Sequence, residues 1–237
     1  MRTTTPVCPQ CGNHAHANYI KSGRTWEKQG FWCVSCLMVV DPISRKPPIV
    51  RRMDITEYLS AAKERFDLIL ADPPWRYERA TVPGNRAIEN HYSTMPVSEI
   101  INLPVQRIAK DRSVLFLWST APMHDRAFEV MEKWGFTYTT EIVWTKKSGG
   151  KTQIGLGNNV RNAHEILLIG KRGDYPSPVY RPPSTFTAPR NEHSRKPAKS
   201  YEIVEAMYPT ARRIELFART VRRGWTGVGN EAVEERA

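Results

Sequence analysis

The sequence predicts an α/β domain built on a mainly parallel, doubly wound sheet, preceded by a small cysteine-containing module. Five apolar segments typical of buried strands alternate with helical or polar segments, as in repeated strand–helix–strand units. The segment FDLILA (66–71) is apolar almost throughout, as expected for a strand that is covered on both faces. All four cysteines of the 237 residues lie before residue 37, which sets the N-terminus apart from the rest.

The other predicted strands follow at intervals along the chain. They are SVLFLWS (113–119), FTYTTEIVWTK (136–146), HEILLIGK (164–171) and the run RRIELFA that ends before Arg219. Polar residues come after several of these strands, and in an open α/β sheet ligands bind outside the carboxyl ends of the strands. We therefore look for the functional site among the residues at those ends.

Helices are predicted between the strands from apolar periodicity and stop signals. They cover residues 97–109, interrupted or ended near Pro104, residues 123–135, ended by Gly135, and residues 200–209, stopped by Pro209. Three long polar segments, 76–96, 147–163 and 172–199, fit neither pattern. Loops of this length are usually functional, or else disordered.

Two C-x2-C pairs lie near the N-terminus. They consist of Cys8, Cys11, Cys33 and Cys36. Four thiolates in this spacing form a tetrahedral cage that suits zinc, and a closed cage is structural rather than catalytic. Redox-active pairs are the main alternative, and nearby histidines are alternative ligands.

These observations divide the chain into three parts. Residues 1–40 are expected to form a zinc ribbon, and residues 41–52, rich in proline and basic residues, a linker. The α/β domain is expected over residues 53–237.

The charge balance indicates a polyanionic partner. Lys and Arg number 35 against 24 Asp and Glu, a formal net charge of +11. The alternative is a basic surface with no specific partner. No apolar run approaches the ~18 residues of a membrane span, and the N-terminus lacks the apolar core of a signal peptide. We therefore expect no membrane association and a cytoplasmic protein, or a nuclear one if the source is eukaryotic.

The segment ADPPWRY (71–77) leaves the first buried strand of the domain in an unusual way. Pro73 and Pro74 cannot donate to a sheet ladder, so carbonyl groups here are left without ladder partners. The exocyclic amine of a nucleobase is a poor nucleophile, and Asp72 together with such a carbonyl could accept its two N–H groups. Trp75 could stack on a base that has been flipped out. The alternative is an acid-capped turn followed by a core tryptophan.

This motif and its neighbours resemble the S-adenosylmethionine-dependent adenine-N6 methyltransferases, the family of the eukaryotic mRNA adenosine methyltransferase catalytic subunit and its bacterial and phage relatives. The resemblance covers about residues 50–231 and is specific because the motifs occur in one order. They are DLILADPPW, HYSTM (91–95), LFLWST (115–120), WGF (134–136), EIVWTK (141–146), HSRKPAKSYEIVE (193–205), RIELFAR (213–219) and GWTGVGN (224–230).

The resemblance implies a Rossmann-like methyltransferase sheet with helices on both faces, S-adenosylmethionine as cofactor, and a set of site residues. The implied catalytic residues are Asp72, Pro73, Pro74 and Trp75, with Tyr92 near the base. The implied cofactor-binding residues are Asp54, Ile55, Asp72, Lys196, Glu215, Arg219 and Asn230. Among these, an acid suits ribose hydroxyls and a lysine suits a carboxylate.

Three positions depart from the family pattern. Val221 and Arg222 stand where the family member used for comparison has His-Asn, and Glu231 stands where it has Gln. The ribose and adenine contacts expected from those positions therefore differ here, and Arg222 could contact substrate instead.

We therefore expect the chain to transfer a methyl group from S-adenosylmethionine to the N6 amine of adenine in nucleic acid, DNA in preference to RNA. Lys146 and Arg161, in and beside a polar loop at the predicted site, are expected to contact phosphates. An RNA adenine-N6 methyltransferase and an inactive nucleic-acid-binding scaffold of the same fold are the alternatives. A homodimer is a further expectation.

Overall fold

The computed structural model of the protein describes residues 16–22, 25–33, 38–40, 46–77, 94–155, 159–190 and 195–235. Fourteen strands and four helices lie in these ranges. In these ranges, every helix is too short or too polar to span a bilayer.

The strands and helices follow one another in a mixed order. The strands are β1 (His16–Ser22), β2 (Thr25–Cys33), β3 (Met38–Val40), β4 (Ile49–Arg51), β5 (Phe66–Ala71), β6 (Ala109–Ser119), β7 (Thr137–Ser148), β8 (Lys151–Thr152), β9 (His164–Arg172), β10 (Thr185–Ala188), β11 (Arg213–Leu216), β12 (Thr220–Val221), β13 (Trp225–Val228) and β14 (Val233–Glu234). The helices are α1 (Ile55–Ala61), α2 (Val97–Ile101), α3 (His124–Lys133) and α4 (Ala198–Met207), with 3-10 turns at Val105–Arg107 and Ala121–Met123.

A nine-stranded sheet forms the centre of the protein. Its strands lie in the order β10-β7-β9-β6-β5-β11-β13-β4, and β8 pairs with β7 outside this row. Within the row, β9 runs antiparallel to β6 and β7, and the remaining pairs are parallel. The mainly parallel sheet is therefore confirmed, with β9 as a reversed strand.

The strand β5 lies where the connections of the sheet change direction. The chain continues from β5 to its neighbour β6 on one side, whereas β11 and β13 lie on the other side. A crevice opens at the carboxyl ends of strands at such a position. The residue that follows β5 is Asp72, so the fold places this aspartate at the expected ligand-binding edge.

Helices cover both faces of the sheet, as the α/β prediction requires. On one face, α1, α2 and α3 pack in a core that includes Ile69 and Ala71 of β5. On the other face, α4 packs in a second core that includes Leu68 and Leu70. Because alternate residues of a strand point to opposite faces, one apolar run supplies both cores.

Local sequence signals account for the ends of two helices. The side chain of Asp54 accepts hydrogen bonds from the Thr56 and Glu57 amides, which caps α1. At the end of α3, Gly135 has a φ of 82°, and its amide donates to the Glu132 carbonyl. Glycine adopts this left-handed conformation without steric penalty, which explains the predicted stop.

Two edge strands lie in segments that the sequence was expected to leave irregular. The expected linker 41–52 includes β4, which pairs with β13 as an edge strand, so the linker interpretation is corrected for residues 49–51. The expected loop 172–199 includes β10, which pairs with β7 at the opposite edge. Both strands are short and lie at edges, where the apolar signal of a strand is weakest.

The N-terminal residues form a separate sheet. Strands β1, β2 and β3 pair antiparallel in that order. Cys33 ends β2, whereas Cys8, Cys11 and Cys36 lie outside the described residues. The zinc prediction therefore falls largely outside them, and within the described ranges no cluster of three or more metal-ligating side chains occurs.

Candidate active site

The turn after β5 is held in place by backbone hydrogen bonds on both of its sides. The Trp75 amide donates to the Pro73 carbonyl over 2.8 Å. The Met95 amide donates to the Pro74 carbonyl over 2.7 Å, and Met95 also forms a parallel bridge with Trp75. Each proline carbonyl therefore has one partner, and a carbonyl oxygen has a second lone pair for a further donor.

Trp75 lies in the protein core. Its exposed fraction is 5%, and its indole Nε1 donates to the carbonyl oxygen of Trp118 over 3.1 Å. From the sequence, this ring is expected to stack on a flipped base, and that role stays a prediction. In the conformation described here the ring is buried and anchors the turn to β6.

Four charged side chains form a continuous row beside this turn. Lys196 Nζ lies 2.6 Å from Asp72 Oδ2 and 3.3 Å from Glu165 Oε2. Lys146 Nζ lies 2.6 Å from Glu165 Oε1. The Lys196 ammonium also lies 5.4 Å from the centre of the Trp118 ring, a cation–π distance. We call Asp72, Lys196, Glu165 and Lys146 the charged row.

The fold brings the row together from separate parts of the chain. Glu165 lies on β9 and Lys146 on β7, Asp72 follows β5, and Lys196 precedes α4. Trp144 and Leu167, each two residues from a row member, belong to the core on the α4 side, so the row projects from that face.

Opposite charges set the protonation states in the row. Burial lowers the pKa of Lys196, but the carboxylates of Asp72 and Glu165 outweigh it and raise that pKa above its ordinary value. For the acid Glu165, burial acts in the opposite direction and raises the pKa. The ammonium groups of Lys196 and Lys146 outweigh burial and bring that pKa below its ordinary value. Burial raises the pKa of Asp72, and Lys196 opposes this shift. Because the Asp72 side chain is 33% exposed and touches an ammonium group, we expect it to be ionised at neutral pH.

A second cluster lies on the neighbouring strand β11. Glu215 pairs in register with Leu70, two residues before Asp72. Its Oε1 accepts a hydrogen bond of 2.7 Å from the Tyr201 hydroxyl, whereas its Oε2 is buried and has no hydrogen-bond partner. Burial raises the pKa of Glu215 to about 8, with Asp72 adding to the shift. The Oε2 atom of Glu215 is therefore available for a hydrogen bond with a ligand.

Helix α4 brings an additional acid beside this second cluster. Glu205 Oε1 accepts a hydrogen bond of 2.8 Å from the Trp225 indole and lies 3.2 Å from Arg222 Nε. Arg222 also lies over the ring of Tyr201, at 5.2 Å. Arg222, one of the departures from the family pattern, is therefore tied to α4 and the ring next to Glu215.

The remaining predicted cofactor residues follow the strands β4, β11 and β13. Asp54 caps α1, and Ile55 is buried in the core. Arg219 Nε lies 3.7 Å from the Glu231 carboxylate. The carbonyl of Asn230 accepts a hydrogen bond from Arg52. The contacts of Arg219 and Asn230 are with other residues of the protein, and they do not by themselves indicate a ligand.

Backbone geometry at the end of β11 is specialised. Phe217 has a φ of 64°, a left-handed conformation that is costly for a residue with a side chain and concentrates at functional sites. A Cβ on Gly229 would lie 2.4 Å from the Ala218 carbonyl oxygen, so only glycine lets the turn before Asn230 approach β11. The conformation of Phe217 could not be foreseen from the sequence.

The predicted substrate residues have different surroundings. Lys146 is mostly buried and paired with Glu165, so the structure gives it a place in the charged row rather than on the phosphate-binding surface that was expected. Arg161 is exposed, and its Nε donates to the Gly155 carbonyl. Tyr92 lies outside the described residues.

Sequence reasoning missed Glu165 and Tyr201. Glu165 stands at the start of the apolar run HEILLIG, and an acid beside a buried run is a signal that could have found it, because such groups are costly without partners. Tyr201 stands among polar residues in SYEIVE, which gives no such signal.

The fold and this site define an α/β protein with a mainly parallel sheet and an ionised cluster at its carboxyl edge, consistent with a Rossmann-like methyltransferase fold. The MT-A70 family model matches residues 66–231, and the chain belongs to the MT-A70 family. The family resemblance drawn from the motifs is therefore confirmed.

Named relatives of this chain are methyltransferases. Type II methyltransferase M.MunI of Mycoplasma sp is 28% identical over 193 residues, covering 73% of this chain and 81% of that protein. An N(6)-adenosine-methyltransferase MT-A70-like protein of Arabidopsis thaliana is 30% identical over 183 residues, covering 75% of this chain and 25% of that protein. The Homo sapiens N(6)-adenosine-methyltransferase catalytic subunit METTL3 is 28% identical, with 70% and 28% covered. The chain thus spans about a quarter of the length of these two eukaryotic relatives.

Proposed function

We propose that this protein transfers a methyl group from S-adenosylmethionine to the N6 amine of adenine in nucleic acid, with DNA preferred over RNA. The observation that carries the proposal is Asp72 at the switch point of an MT-A70 sheet, on a hydrogen-bonded Pro-Pro turn and paired with Lys196 at 2.6 Å.

The chain's own contribution is to hold the adenine amine. The Asp72 carboxylate accepts one N–H of the amine, and a second lone pair on the Pro73 or Pro74 carbonyl accepts the other. Both acceptors are fixed before substrate arrives, so they favour the charge that develops on the amine nitrogen without reorganising. Trp75 supports this arrangement by anchoring the turn to the Trp118 carbonyl.

The residues present fit the cofactor. When bound, S-adenosylmethionine supplies the methyl group, carried on a positively charged sulfur. The buried Oε2 of Glu215 has no partner and suits a ribose hydroxyl. An ammonium group has three donors, of which Lys196 directs two at Asp72 and Glu165, leaving one for a ligand carboxylate. The other proposed cofactor residues are Asp54, Ile55, Arg219 and Asn230.

The preference for DNA rests on three supports. The formal net charge of +11 suits a polyanion. The chain covers most of a type II methyltransferase, whereas it covers only about a quarter of the relatives named as N(6)-adenosine-methyltransferases. A compact catalytic domain joined to the proposed N-terminal ribbon is suited to hold a duplex. An inactive scaffold is disfavoured because the acid-Pro-Pro-Trp set is intact.

The test is methyl transfer from labelled S-adenosylmethionine to matched nucleic acids. Long DNA free of methyladenine is compared with RNA transcribed from it, at one salt concentration because binding to phosphates depends steeply on salt. We expect N6-methyladenine in the digested DNA by mass spectrometry. Methylation of RNA alone would reverse the DNA preference, and no transfer to either would contradict the proposed function.

We further propose that Cys8, Cys11, Cys33 and Cys36 hold one structural zinc ion in an N-terminal ribbon, residues 1–40. The three-stranded sheet in this region supports the proposal. We expect a chelator to unfold the ribbon, because a structural zinc site couples metal binding to folding. Elemental analysis should find one zinc per chain, and deletion of residues 1–40 should leave the large sheet folded by circular dichroism. Metal-free protein with unchanged folding would contradict this.

A homodimer and a cytoplasmic location, or a nuclear one in a eukaryote, stay predictions. Light scattering on the purified chain tests the first, and imaging of a tagged chain in its host tests the second.

A further inference from the structure

The chain between β7 and β9 exposes apolar side chains next to the charged row. We call the described residues 147–155 and 159–163 the hairpin lobe. Val160 is 74% exposed and Ile154 is 49% exposed. Two of the five large apolar side chains that are exposed within the described ranges therefore lie in this lobe. The hydrogen bond between the Gly155 amide and the Asn162 carbonyl ties the segments of these two apolar residues together, so they are not scattered single residues.

Backbone hydrogen bonds fix the lobe to the sheet. The Gln153 amide donates to the Lys146 carbonyl over 2.7 Å, and the Lys146 amide donates to the Ala163 carbonyl over 2.8 Å. The Gly155 amide donates to the Asn162 carbonyl over 2.6 Å. Ile154 and Val160 each lie within two residues of these bonds, so the hydrogen bonds hold the backbone on which they stand in place.

The lobe is connected to the proposed catalytic aspartate by direct contacts. Lys146, which makes two of the hydrogen bonds above, pairs with Glu165. Glu165 and Asp72 both contact Lys196. A nucleic acid whose target base reaches Asp72 therefore has its neighbouring nucleotides close to the lobe.

The charge of this region selects a polyanion over a protein partner. Residues 142–164 contain no Asp or Glu. Lys147, Lys151 and Arg161 are exposed. A surface with cations and no acid is complementary to phosphates, which take many of their hydrogen bonds from Lys and Arg. It would repel an identical surface on a second copy of the chain.

We propose that the hairpin lobe is a wedge that enters duplex DNA beside the target adenine, with Ile154 and Val160 against the bases and the three exposed cations on phosphates. Aliphatic side chains inserted between base steps unstack them, and a base must leave the stack before its amine can be reached. This inference deepens the proposed function and rests on it. It assigns duplex DNA as the substrate for which these side chains matter.

The test compares one double variant on two forms of one substrate. In Ile154→Ser/Val160→Ser, methyl transfer to duplex DNA is expected to fall about tenfold or more, while transfer to the same DNA after heat denaturation changes by less than about twofold. The matched control is Val233→Ser, an exposed apolar residue on β14, and it should leave both rates unchanged. Ile154→Leu/Val160→Leu should keep activity on duplex DNA, because the wedge stays apolar.

Each other result overturns the wedge. Equal losses on both substrates would indicate a fold or cofactor defect, and unchanged duplex activity would make the lobe dispensable. A change in oligomeric state by light scattering would assign the surface to a second copy of the chain. A wild-type protein that methylates only single strands or RNA would also overturn the wedge while leaving the proposed chemistry intact, whereas a wild type inactive on every nucleic acid would contradict the proposed function itself.

Discussion

The charged row and the cluster at Glu215 lie on neighbouring strands and differ in how their acids are satisfied. In the row, each carboxylate oxygen of Glu165 contacts an ammonium group, that of Lys146 or that of Lys196. Asp72 also contacts the ammonium group of Lys196. At Glu215, one oxygen is bonded to Tyr201 and the other is buried without a partner. The same residue type is therefore ionised and fixed at one place and unsatisfied at the other.

The two groups of acids are therefore suited to different tasks, one to positioning a side chain and the other to binding a ligand. A buried ion pair with several contacts holds its members in one geometry, and removing one member leaves an uncompensated charge. A buried oxygen without a partner costs free energy in the free protein, and that cost is recovered when a ligand supplies a donor. The row is suited to hold Asp72 in place, and Glu215 is suited to recognise a ligand.

The largest expected effect comes from removing the acceptor at the end of the row. Asp72→Ala should lower methyl transfer by about 10²–10³-fold, the range for losing one preorganised hydrogen-bonding group at the reacting centre. The fold should persist, because Asp72 is partly exposed and lies in a turn. Asp125→Ala, an exposed aspartate in the first turn of α3, is the matched control and should keep activity. A folded Asp72→Ala protein with near-normal activity would contradict the assigned role.

Breaking the centre of the row should have the next largest effect. Glu165→Gln leaves Lys146 and Lys196 without their shared carboxylate, so we expect a loss of about 3 kcal/mol of stability. At this chain length that is a decrease in Tm on the order of 10 °C. Because the folded pKa of Glu165 is below its ordinary value, its stabilisation is full at neutral pH and is lost as pH falls into the acid range.

The control for this variant is Glu202→Gln. Glu202 forms an exposed pair with Lys199 on α4, and such pairs contribute little. Equal Tm values for the two variants by calorimetry would show that the row does not hold the site together.

The Glu215 cluster should respond to pH in the opposite direction. Its folded pKa is raised to about 8 from an ordinary 4.5, so between these values the folded chain binds more protons than the unfolded chain. Stability of the free protein should therefore fall as pH rises through this window. Between pH 5 and pH 8 the Tm of the wild type should decrease. The Tm of Glu215→Gln, which cannot ionise, should decrease by several °C less over the same range. A difference that does not change with pH would contradict the unsatisfied state of Glu215.

The smallest effect is expected at the anchor of the turn. Trp75→Phe keeps an aromatic ring but removes the hydrogen bond to the Trp118 carbonyl, which should cost about 1 kcal/mol and a few °C in Tm. Activity should fall with it, because the turn that carries Asp72 loosens. If the ring instead stacks on the base, Trp75→Phe should keep both stability and activity, and only Trp75→Ala should lose activity.

Several features of this protein could be predicted from the sequence. The central strand β5 was visible as FDLILA, because a strand covered on both faces needs apolar residues at nearly every position. The end of α3 was visible at Gly135, because few other residues adopt its conformation. Asp72 was visible because prolines after a buried strand fix where the chain leaves the sheet.

Other features needed the tertiary structure. The edge strands β4 and β10 have three and four residues and take their partners from distant parts of the chain. Whether Trp75 faces solvent or the core depends on Trp118, which lies 43 residues away. Short segments and single rings carry too little local signal to fix their own environment.

The sequence by itself determined the alternation of the α/β domain and the turn that carries Asp72, because each depends on residues that are close together in the chain. It also determined the family, through the order in which short motifs follow one another. Only the tertiary structure decided that Glu165 joins Lys146 to Lys196, that Lys146 faces inward, and that one oxygen of Glu215 is left without a partner. The physical reason is that a charge is stabilised or left unsatisfied by its neighbours in space, and the sheet brings those neighbours from four separate segments.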